Sequence, residues 1–61
     1  MLWSYLIEVE YRTKTTCCTT TVMIEGTSSA DALAAAMVKV GKRRGVVCVD
    51  RARTLGNKVP A

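Results

Sequence analysis

Histidine and phenylalanine are absent from this chain, and proline occurs once. Without histidine there is no Ser-His or Cys-His nucleophile and none of the commonest general bases. No stretch approaches the roughly 20 consecutive apolar residues that a membrane-spanning helix needs. Cysteine is scarce and odd in number: Cys17, Cys18 and Cys48. Adjacent cysteines on an extended strand point to opposite faces and do not bridge easily, so a disulfide scaffold is not expected. The same three residues lack the paired spacing of a zinc site. Gly41 and Gly45 bracket a basic loop without the Lys-Ser or Lys-Thr ending of a phosphate-binding loop. Glu8 and Glu10 are the only closely spaced carboxylates. On one strand face they would stand roughly 7 Å apart, but with no wall around them they read as solvated charges and not as a catalytic pair. The expectation is a protein that is not an enzyme and carries no cofactor or metal.

What remains is a 61-residue chain, 49% hydrophobic and 23% charged, with nine Lys and Arg against five Asp and Glu. That is too apolar for intrinsic disorder and too short for two domains. A domain of this size buries only about 60% of the surface its unfolded chain exposes, so docking or self-association is expected. The N-terminus lacks a basic start, and Glu8 and Glu10 interrupt its apolar run, unlike a signal peptide. Together with the unpaired cysteines this suggests a reducing, cytoplasmic setting.

Residues 3 to 12 alternate strictly, with Trp3, Tyr5, Ile7, Val9 and Tyr11 on one face and Ser4, Leu6, Glu8, Glu10 and Arg12 on the other. This is the pattern of a half-buried strand. Residues 16 to 25 are rich in threonine and β-branched side chains and form a second strand, with Cys18, Thr20, Val22 and Ile24 as its more apolar face. The connection between them has no Asn-Gly, so register decides the loop. An even-length loop pairing positions whose numbers sum to 27 opposes Val9 to Cys18, Ile7 to Thr20, Tyr5 to Val22 and Trp3 to Ile24. It thereby keeps the large side chains on one face.

Ser28 with Asp31 three residues on resembles a capping box and marks a helix start. Leu33, Ala36, Met37 and Val40 make the apolar stripe. Arg44 would fall on that stripe, so the helix is expected to end near Val40 with Gly41 as a left-handed cap. A third strand follows Gly45, but its facing is ambiguous. Val46, Cys48, Asp50 and Ala52 alternate with Val47, Val49, Arg51 and Arg53, and either choice misplaces a charge unless a bulge intervenes. The expected fold is a single α+β domain over residues 1–55, of order ββαβ. Its antiparallel sheet has the preferred strand order 3-1-2 and one helix on one face, and residues 56–61 form a flexible tail. The three aromatic residues are assigned to the core, because no other large side chains are available to fill it.

Charge divides unevenly. Residues 1–31 carry four acids and two bases, whereas the remainder carries seven bases and only Asp50 as an acid. In this topology the helix ends beside the hairpin turn, so Lys42, Arg43 and Arg44 approach Arg12 and Lys14. Arg51 and Arg53 can instead pair with Glu8 and Glu10 on the neighbouring strand. These five cations therefore form the candidate site, a basic pole for a polyanionic partner, nucleic acid or nucleoprotein. The alternative is an adaptor or inhibitor of the phage or mobile-element type, gripping an acidic surface of a larger protein through the basic loop, the sheet edge or the open sheet face. The open face also offers a homodimer contact through Leu6, Met23 and Cys17.

The cysteines, with no base to activate them, are expected to behave as small hydrophobes. Thiol labelling of the native protein should modify Cys17 first and Cys18 and Cys48 slowly. Replacing Cys18 or Cys48 by Ala or Val should leave binding intact.

Overall fold

In the computed structural model, residues 2–61 are described. Strands β1 (Trp3–Arg12) and β2 (Cys17–Gly26), helix α1 (Ser29–Gly41) and strand β3 (Cys48–Pro60) follow in that order. The three strands form one antiparallel sheet with β1 in the middle, β2-β1-β3. This is the expected ββαβ fold, and β1 takes the centre because its face of Trp3, Tyr5, Ile7 and Val9 is the most apolar surface in the chain. The core consists of Tyr5, Ile7, Val9 and Val22 from the sheet against Ala32, Ala36 and Val40 from the helix. Trp3 and Tyr11 pack at its margins, so the aromatic face is covered by the helix and is not a stacking platform.

The hairpin register differs from the sequence expectation by two residues. Positions summing to 29 are paired, so Ile7 faces Val22, Tyr5 faces Ile24 and Val9 faces Thr20. A two-residue slip leaves every side chain on its expected face, since strand facing has period two. Its cause lies in the turn. The Thr13 N–H donates to the Thr16 carbonyl at 2.8 Å, and the Thr13 hydroxyl oxygen accepts from the N–H groups of Thr15 and Thr16 at 3.4 and 3.2 Å. A threonine hydroxyl thus does the local hydrogen bonding that Asn-Gly would otherwise favour, and Arg12 is free to join the ladder.

Helix α1 begins as expected, with the Ser28 side chain accepting from the Asp31 N–H at 3.3 Å. Two expectations are corrected. The buried stripe is Ala32, Ala36 and Val40, with Leu33 at its edge, while Met37 is exposed. Small side chains at the contact let the helix lie close to a sheet whose own residues are large. Gly41 is not the left-handed cap: the capping residue is Lys42 in ordinary right-handed geometry, and positive φ occurs among the described residues only at Gly45 and Gly56. At Gly41 a Cβ would stand 3.7 Å from Val49, an ordinary van der Waals contact, so neither backbone conformation nor space requires glycine there.

Strand β3 resolves its ambiguous facing with a bulge. Between Glu10 and Tyr11 of β1 the pairing skips from Arg51 to Val49, leaving Asp50 as the extra residue. One added residue reverses the alternation, so Val49 and Ala52 both pack towards the helix. A second irregularity, between Ser4 and Leu6, coincides with the positive φ of Gly56. Beyond it, Val59 and Pro60 pair with Ser4 and Trp3. Residues 56–60, read from sequence as part of a tail, therefore belong to β3; their glycine and proline serve a bulge and a strand end.

Chemical unfolding should report this packing directly. Ala36 is fully buried against the sheet, so Ala36→Leu should cost about 1–3 kcal/mol through overpacking, and Ser28→Ala about 1 kcal/mol through loss of the cap. Amide exchange should be slowest in residues 5 to 10, whose strand is paired on both sides.

Candidate binding surface

The open face of the sheet, opposite α1, carries a ladder of ion pairs. Arg53 Nε lies 3.0 Å from Glu8 Oε1, Arg51 Nε 3.1 Å from Glu10 Oε2, and Arg12 Nε 3.0 Å from Asp50 Oδ1. The first two join directly opposed residues of β1 and β3, as the sequence suggests. The third depends on the bulge, which turns Asp50 towards the open face beside Arg12. Asp50, and after it Cys48, raises the Arg12 pKa above its usual value. The arginine side of this pair therefore keeps its charge up to strongly alkaline solution, where the contribution of the raised pKa is lost.

The other candidate cations lie where the hairpin turn meets the α1–β3 connection. The Val47 N–H donates to the Arg12 carbonyl at 2.8 Å, tying the two segments together. Between them is a shallow hollow of about 520 Å³, with Thr13, Lys14 and Thr15 on one side and Arg44 to Val47 on the other. Gly45, at φ +90°, makes the turn that brings Arg44 to this rim. Lys42 caps the helix, and Arg43 Nη1 donates to the Thr20 hydroxyl at 3.2 Å on the helix side of β2. Among the described residues no ion pair joins Lys14, Lys42, Arg43 or Arg44 to a carboxylate.

Of the five cations marked in the sequence, Lys14 and Arg44 share one hollow and Lys42 and Arg43 adjoin it in the chain. Arg12 stands apart, its charge held by Asp50. The sequence reading did not include Gly45, Val46 and Val47 as walls of the hollow. The only signal for them was a glycine directly after the basic run. At the other end of the sheet, Lys58 Nζ sits 4.5 Å above the centre of the Trp3 ring, a cation–π contact.

Among the described residues no three Cys, Asp or Glu side chains cluster as metal ligands, and no helix is long and apolar enough to cross a membrane. The three cysteines are free, Cys17 exposed and Cys18 and Cys48 half-buried. No protein family, curated protein or solved structure matches this chain.

The ion-pair ladder is solvent-exposed, so its members should couple weakly. A double-mutant cycle on Glu8 and Arg53 should give a coupling of at most about 1 kcal/mol, falling as salt is added.

Proposed function

We propose that this protein is a non-enzymatic binding module that docks onto the phosphate backbone of a nucleic acid, alone or within a nucleoprotein, through Lys14, Lys42, Arg43 and Arg44. The observation that carries this reading is the sorting of charge. Of the five candidate cations, Arg12 is tied to a carboxylate on the open face, as are Arg51 and Arg53 beside it. The other four carry no such tie among the described residues. Two of these four, Lys14 and Arg44, converge on one hollow.

Free cations in exposed loops suit phosphate contacts, which position a protein without reading sequence. Base readout by stacking has no support, since Tyr5 is buried and Trp3 and Tyr11 pack on the helix side. Binding of this kind releases counterions, so affinity falls steeply with salt, by about 0.7–0.9 logarithmic units per contact. The C-terminal end of α1 adds a partial negative charge near the pole, which favours keeping the cations there in the free protein without neutralising them.

Fluorescence anisotropy with labelled DNA and RNA oligonucleotides over a salt series tests the proposal. Lys14→Ala and Arg44→Ala should each lower the slope by about one and weaken all sequences alike, while Arg51→Ala should leave the slope unchanged. Equal slopes for the wild type and the Lys14 and Arg44 variants would overturn it. Retention of a protein partner after nuclease treatment, lost in the same two variants, would transfer the pole to an acidic protein surface.

A further inference from the structure

We propose that two copies of this chain join along β2 as an antiparallel pair with Thr21 on the two-fold axis, extending the sheet to six strands. This inference is independent of the phosphate reading. It begins with the two edges of the sheet, which differ sharply. The β3 edge has two irregularities in register, the positive φ of Gly56, Arg51 and Arg53 along its length and Pro60 at its end. Bulges, charges and proline are the usual guards against edge pairing. The β2 edge has no bulge and no proline, and its single charge, Glu25, stands next to its end. Its ten residues pair with β1 without a shift, and from Thr16 to Ile24 there is no charge, glycine or proline.

Hydrogen-bond parity defines what this edge offers. The bond from the Thr13 N–H to the Thr16 carbonyl marks that pair as hydrogen-bonded. Antiparallel alternation then makes Tyr11–Cys18, Val9–Thr20, Ile7–Val22 and Tyr5–Ile24 the bonded pairs of the hairpin. The N–H and carbonyl groups of Cys17, Thr19, Thr21, Met23 and Glu25 therefore turn to the free side. A two-fold axis through Thr21 opposes Thr21 to itself, Thr19 to Met23 and Cys17 to Glu25, so each of these residues meets another with outward-facing groups. The axis stands normal to the sheet and keeps both helices on one side. On that side Ile24 comes opposite Cys18 of the second copy, covering two half-buried residues.

Charge favours the same direction. Glu25 is the only charged residue of β2. Antiparallel pairing places it beside Cys17 of the second copy, whose preceding turn carries Lys14, a cation joined to no carboxylate among the described residues. A parallel pair would instead set Glu25 against Glu25. The symmetric arrangement brings the acidic end of each strand to the basic end of the other, twice per dimer.

Sedimentation or light scattering on the full chain, up to the millimolar range, tests the pairing. The wild type should be dimeric. Thr21→Pro removes an outward N–H without touching the bonds to β1, and should raise the dimer dissociation constant at least about tenfold with an unchanged circular dichroism spectrum. Thr21→Lys and Thr21→Glu each place like charges on the axis and should weaken the dimer about fivefold, whereas their equimolar mixture should restore it as a heterodimer. A monomeric wild type, a folded Thr21→Pro variant that dimerises as before, or a Lys/Glu mixture no tighter than either variant alone would overturn the proposal.

Discussion

The central strand imposes two opposite demands on everything around it. One face of β1 presents Tyr5, Ile7 and Val9, which must leave water, and the other presents Glu8, Glu10 and Arg12, which must keep their charge solvated or paired. The helix answers the first demand with Ala32, Ala36 and Val40, and β3 answers the second with Arg53, Arg51 and Asp50. Because β1 lies between the other two strands, any change in its alternation would disturb the core, both ladders and the ion pairs together.

The bulge at Asp50 is what lets β3 serve both faces. A regular strand would set Val49 and Ala52 on opposite sides and put either an apolar residue into water or a charge against the helix. With one extra residue, Val49 and Ala52 face the helix while Asp50, Arg51 and Arg53 share the open face with their partners. Each exposed ion pair contributes little to stability, but together they remove three arginines from the pool of available positive charge. The free charge is left where the turn and the α1–β3 connection meet, and that link between a strand irregularity and surface electrostatics underlies the binding proposal.

Size shapes the remainder. The fully buried set is small, with Ile7, Val9 and Val40 its largest members, and apolar side chains such as Met23 and Val47 remain exposed. Small domains often gain stability by association, and an edge strand without bulges or proline, charged only at Glu25, gives association a definite geometry. The contrast between the guarded β3 edge and the open β2 edge makes self-pairing through β2 a directional event with one geometry, where two open edges would permit open-ended growth.

Local pattern alone determined a good deal here: the two-residue alternation of β1, the serine cap of α1, the ββαβ order, the central place of β1 and the pairing of Arg51 and Arg53 with Glu10 and Glu8. These follow from periodicity and from which face must be buried, and both are properties of short stretches of chain. The hairpin register, the rotation of α1 towards Ala32, the loss of a left-handed cap at Gly41, the strand beyond Gly56 and the engagement of Arg12 were decided only in the tertiary structure. Each depends on a fit between segments distant in sequence. The Thr13 hydroxyl chooses among registers that leave facing unchanged, small helix residues suit a sheet of large ones, and the sign of every position before Asp50 in β3 turns on one unpaired residue whose placement requires β1 beside it.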